Sequence, residues 1–129
     1  MKIDHIGIWV TDLDKMIEFY KTYFKATAGK KYHNPFKNFT SCFLKMPSGP
    51  GIELMNNPSI PARSGKPGDQ YPGYIHIAIS MESEPEVNRQ TEFLRENGYT
   101  VLDGPRRTGD GYYESVIIDP EGNRIEITV

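Results

Sequence analysis

Apolar and polar residues alternate along 3–10. Ile6, Ile8 and Val10 fall on one side of an extended chain, and Ile3, His5, Gly7 and Trp9 on the other. The Ile, Trp and Val content predicts a strand. The period then changes. Leu13, Met16, Ile17, Phe19, Tyr20 and Phe24 recur at helical spacing behind Thr11 or Asp12 as N-cap, predicting a helix over about 12–25. Gly29 closes that unit. Strands are predicted near 29–33, over 39–46 and at Ile52–Met55. Prolines 58, 61, 67 and 72 then break the pattern, so 58–72 reads as a linker.

The same order returns in the second half. Ile75, Ile77, Ile79 and Met81 alternate with His76 in a strand over 74–81. Ser83-Glu84-Pro85-Glu86 has the form of a capping box, and a helix runs to about Glu96, with Gly98 just past its end. Segments 99–103, 112–118 and 123–129 are predicted strands, with a polar loop from Gly104 to Gly111 that carries Arg106, Arg107 and Asp110. Each half is thus a strand, a helix and three strands. The fold class predicted is α+β: two paired βαβββ modules, 1–57 and 73–129, forming a single domain over 1–129. Each helix covers the aliphatic face of its sheet. The mixed sheet is expected to curve into a partly closed cup with the helices outside.

The repeat carries chemistry. His76 lies 71 residues after His5, and Glu126 lies 73 after Glu53. Each glutamate follows a Pro/Gly turn and sits in an Ile-Glu-Leu or Ile-Glu-Ile strand. Alternation places all four side chains on the face away from the helix. Carboxylates sheltered together resist ionisation without a counter-charge. Two imidazoles and two carboxylates suit a divalent cation such as nickel or zinc. Taken singly, a strand histidine is more often a hydrogen-bonded structural residue; the matched placement of two His–Glu pairs favours the metal.

Bulk properties narrow the classes. A net charge of −2 offers no general basic field for nucleic acid. No apolar run is long enough for a membrane span. Cys42 is the only cysteine, so no internal disulfide can form. With no apolar leader ahead of His5, the expectation is a cytoplasmic protein. Half-chains of roughly 60 residues are marginal alone and are expected to pack together or against a second chain.

The His-Ile-Gly-Ile opening, the Ile-Glu-Leu element, the Ile-His-Ile-Ala-Ile strand and Asp-Pro-Glu-Gly-Asn-Arg-Ile-Glu-Ile at 119–127 resemble the vicinal oxygen chelate superfamily. That superfamily includes glyoxalase I, extradiol dioxygenases and bleomycin resistance proteins. The His/Glu/His/Glu set is most similar to glyoxalase I. The resemblance implies a homodimer with metal sites at subunit interfaces, although the sequence leaves a site within one chain equally open. It implies His5, Glu53, His76 and Glu126 as metal ligands and a lyase or isomerase reaction by proton transfer on a 2-oxo thiol adduct. For glyoxalase I that adduct joins methylglyoxal and glutathione. Glu126 is the implied base, with Glu53 facing it. Asn57 resembles the asparagine that contacts the thiol. Trp9 stands where bacterial relatives commonly have an arginine for a glutathione carboxylate, and Arg106 or Arg107 is the candidate replacement. Trp9 reads equally as pocket wall or packing, and the arginines also read as a solvated loop. An extradiol-type dioxygenase and a small-molecule binding or resistance protein without turnover are the alternatives. Cys42 is expected to be a buried, unreactive thiol and His33 a surface residue.

Overall fold

A computed structural model describes all 129 residues. They form two compact units, Met1–Ser64 and Gly65–Val129. Residues 57–75 contain no helix or strand.

The first unit runs β1 (His5–Trp9), α1 (Leu13–Phe24), β2 (Thr27–Ala28), β3 (Tyr32–Asn34), β4 (Phe39–Lys45) and β5 (Gly51–Asn56). Asp12 caps α1 by accepting the Lys15 N–H at 2.9 Å. The helix stops at Lys25, which adopts the left-handed conformation at φ 54° and donates its N–H to the Tyr20 carbonyl. Thus Lys25, four residues before Gly29, ends the helix. Leu13, Met16, Ile17, Phe19, Tyr20 and Phe24 are buried, as are Cys42, Leu44, Ile52 and Leu54 of the sheet. The sheet order is β1-β5-β4-β2, with β3 also on β4. β1 and β5 are parallel, and the other pairings are antiparallel. The strand predicted near 29–33 is therefore two short pieces, both paired to β4.

The second unit runs β6 (His76–Ser80), α2 (Glu84–Glu96), β7 (Val101–Arg107), β8 (Tyr113–Ile118) and β9 (Arg124–Thr128), with sheet order β6-β9-β8-β7. β6 and β9 are parallel. Val87, Thr91 and Leu94 of α2 are buried, as are Ser115, Ile117, Ile125 and Ile127 of the sheet. Thr91 and Ser115 share a buried hydroxyl–hydroxyl hydrogen bond of 2.6 Å.

Two local expectations change. The Ser83 side chain makes no cap hydrogen bond. The Glu86 N–H goes instead to the Ser83 carbonyl at 3.0 Å, while the Glu86 carboxylate accepts the Glu82 N–H. The capping box is thus not formed. The expected loop 104–111 is also shorter, because β7 extends through Arg107. It does so irregularly, with register shifts between Val101 and Asp103 and between Asp103 and Arg106. Gly104 lies within the second of these at φ +78°; a Cβ there would meet the Glu114 carbonyl oxygen at 2.5 Å and the Ser115 Cα at 2.9 Å. Only glycine lets β7 press this closely on β8.

Both sheets are mixed and neither is closed, so the fold is α+β in two modules.

Candidate metal centre

In each unit a parallel strand pair sets a histidine beside a glutamate. Glu53 is the register partner of Gly7, two residues beyond His5. Glu126 is the partner of Ala78, two residues beyond His76. Facing residues share a face, and so do residues two apart along a strand. Both pairs therefore lie on the face opposite the helix. His5 Nε2 is 3.7 Å from Glu53 Oε2, and His76 Nε2 is 3.2 Å from Glu126 Oε2. The turns that launch β5 and β9 fix these registers. Gly51 donates its N–H to the Asp4 carbonyl. Asp119, buried, accepts the N–H groups of Glu121 and Asn123 and the Asn123 amide. Burial pushes the Asp119 carboxyl up, against the pull of those donors.

Two features suit these pairs to a cation. The glutamate side chains are only 18% and 21% exposed, and each has an imidazole as its ion-pair partner in place of a lysine or arginine. Two donors on one zinc-sized ion lie roughly 3–3.5 Å apart, given bonds of about 2.0–2.2 Å. The second pair meets that spacing, and the first is slightly wider. Asp4 adds an orienting contact. Its Oδ2 lies 2.9 Å from His5 Nδ1, which directs Nε2 toward Glu53. The His5 neighbour holds the Asp4 carboxyl below the usual carboxylate range. The structure thus brings His5 to Glu53 and His76 to Glu126. No three His, Cys, Asp or Glu side chains of the chain gather into one metal-holding group.

The remaining candidates divide. Trp9 shares the donor face of its sheet and stays about half exposed, edge-on to Phe39 at 6.0 Å. Phe43 is likewise edge-on to His5 at 5.1 Å. A cleft of about 370 Å³ beside His5 is lined by Thr27, Phe43, Lys45 and Gly51 among others. Asn57 is engaged locally: its amide donates to the Lys37 carbonyl, and its oxygen accepts from the Ser59 N–H and hydroxyl. Arg107 pairs with Glu84, donates to the Gly111 carbonyl and lies over the Tyr113 ring. Arg106 is the arginine on the donor face, opposite Glu114. Asp103 holds it through a 2.7 Å hydrogen bond to Nε, which also holds the Asp103 carboxyl low.

Glu114 was not visible as a candidate. Nothing in Tyr-Tyr-Glu-Ser-Val marks it, yet burial and then the charge of Glu126 push its carboxyl up. Cys42 is buried, and burial raises its thiol. His33 is exposed and hydrogen-bonds the Thr40 hydroxyl.

The model of the glyoxalase/bleomycin resistance protein/dioxygenase superfamily matches residues 2–127. Among solved structures, the chain is similar to the trypanothione-dependent glyoxalase I of Leishmania major, with 25% identity, a TM-score of 0.78, and coverage of 98% of this chain and 85% of that one. It is similar to a V278E glyoxalase I mutant from Zea mays, with 24% identity and a TM-score of 0.78; the match covers 98% of this chain but only 44% of that one. A glyoxylase/bleomycin resistance protein/dioxygenase domain from Frankia sp. matches at a TM-score of 0.83 and 16% identity, covering 100% of this chain and 97% of that one. The two matches below 25% identity speak for the fold alone.

Proposed function

The chain belongs to the glyoxalase/bleomycin resistance protein/dioxygenase superfamily, and within it we propose a metal-dependent lyase or isomerase of glyoxalase I type. One observation carries the reading: two His–Glu pairs stand in the same register on equivalent strands of two units. Duplication of the constellation supplies the four donors that a shared cation would use. We propose His5, Glu53, His76 and Glu126 as the ligands of one nickel or zinc ion, with His5 and Glu53 of one chain joined to the second pair of a partner in a homodimer. When bound, the metal would polarise a substrate carbonyl and acidify the adjacent C–H.

The chain's own residues do the rest. Glu126 takes the proton from the carbon bearing the thiol sulfur and returns it to the neighbouring carbon, while the hydroxyl proton passes from the oxygen of the first carbon to that of the second, so hemithioacetal and thioester product are isomers. Glu53 stands as its counterpart from the other unit. Asp4 keeps the His5 ring in its binding tautomer. Trp9, on the donor face of its own sheet, is the substrate contact we favour; Arg106 shares the donor face of the second sheet but is held by Asp103. Asn57 and Arg107 would have to give up their present partners to serve. The similarity to the glyoxalase I of Leishmania major supports this reaction type. A reducing cytoplasm suits the buried Cys42.

The test is to purify the protein without chelators, measure its metal content, then add methylglyoxal with glutathione and follow thioester formation. We expect metal-dependent turnover that Glu126→Gln removes while metal stays bound. Turnover of a catechol, or none of any thiol adduct, would overturn the lyase reading.

A further inference from the structure

The donor face of the second sheet holds a carboxylate that the proposed metal centre does not use. Glu114 lies on β8 directly opposite Thr128 of β9 and, on its other side, opposite Arg106 of β7. Its side chain is only 14% exposed, yet the nearest approach of the Arg106 guanidinium is 4.0 Å, beyond hydrogen-bond reach. Arg106 is committed to Asp103. The Thr128 hydroxyl oxygen is buried and has no hydrogen-bond partner. Two polar groups thus face one another across adjacent strands, Glu114 with only a distant guanidinium and the Thr128 hydroxyl with no partner, in a setting where such groups are normally satisfied.

Charge decides what would complete them. Asp103 and Arg106 cancel. A dication would be balanced by Glu53 and Glu126. Arg106 is shared between Asp103 and Glu114, which leaves Glu114 a partly compensated carboxylate on the same face as Glu126. An anionic ligand group would be repelled here. A cationic hydrogen-bond donor would satisfy Glu114 and use the Thr128 oxygen as a second acceptor.

We infer that Glu114 and Thr128 form a recognition subsite for an ammonium group of the substrate, beside the His76–Glu126 pair. The inference rests on the metal reading and names the substrate class: 2-oxo adducts that carry an amine on this side in place of a carboxylate. Glu114 is a specificity residue here, with no part in the proton transfer.

Three hydroxamates of matched length test it without turnover, because each offers the same vicinal oxygens to a metal. They are β-alanine hydroxamate (ammonium), butyrohydroxamate (neutral) and succinic monohydroxamate (carboxylate). Their Kd values would be measured calorimetrically on the zinc-loaded full chain near neutral pH. We expect the ammonium probe to bind about tenfold tighter than the neutral one, and the carboxylate probe to bind weakest. In Glu114→Gln the ammonium preference should shrink to within about twofold at unchanged zinc content; Thr128→Val should reduce it partially. The wild-type ranking stands even if a variant folds poorly. Equal binding of all three, or a preference for the carboxylate, overturns this inference and leaves the metal reading intact. Binding of none overturns both.

Discussion

The two units share a framework and differ in what surrounds it. Both set Glu opposite the residue two beyond His on a parallel strand pair. In the first unit the donor face is aromatic: Trp9 meets Phe39, which also faces Tyr32, and Phe43 abuts His5. In the second it is charged: Glu114 lies between Arg106 and Thr128, with Asp103 beyond. The cores differ in the opposite sense. Phe19, Tyr20 and Phe24 fill the first, while the second buries a Thr91–Ser115 hydroxyl pair. Strand register is the same in both copies, and in each it sets a histidine beside a glutamate. The residues around the two pairs differ, so the same framework carries an apolar surround in one unit and a charged one in the other.

The sharpest break in the comparison should be catalytic. Glu126→Gln should lower thioester formation by about a thousandfold, and Glu53→Gln by less than about a tenth of that factor, both with metal retained. Equal losses would show that the two units play equivalent parts.

The cores should instead respond alike at matched positions. Leu54 and Ile127 flank the two glutamates and are fully buried. Leu54→Ala and Ile127→Ala should each cost about 2–5 kcal/mol in urea unfolding. A much smaller cost at one would mean that its unit is loosely packed.

A difference should reappear in the polar core. Thr91→Val leaves the Ser115 hydroxyl buried without its partner and should cost about 1–3 kcal/mol. A stabilising Thr91→Val would show that the second unit gains nothing from its buried hydroxyls.

The smallest effects belong to the surface. Lys31 pairs with Asp14 in the first unit and Arg107 with Glu84 in the second, all four side chains well exposed. Lys31→Ala and Arg107→Ala should each change stability by less than about 1 kcal/mol. If Arg107→Ala instead weakened substrate binding with stability intact, Arg107 would be a substrate contact.

Much of this was legible in the order of residues. Alternation along 3–10 and 74–81 assigned His5 and His76 to the face away from the helices, and the Pro/Gly turns before Ile52 and Ile125 located the glutamate strands. Both inferences depend on a period of two, which the backbone enforces locally. The helices were legible for the same reason, since Asp12 and Gly98 act within a turn of their own positions. The capping box at Ser83 was not, because the Glu86 N–H had the Ser83 carbonyl as a competing acceptor.

The residues alone thus determined the elements, the repeat, and which side of each sheet carries the donors, because these follow from spacing along one strand or helix. Tertiary structure decided the surroundings of Glu126. Asp103 and Arg106 are three apart and would point to opposite faces of a regular strand. The irregularity at Gly104 turns both to the donor face and sets Arg106 against Glu114. No pattern along the chain records that change of phase. It arises where β7 is pressed onto β8, and with it come the sheltering of Glu114 and the partnerless Thr128 hydroxyl across from it.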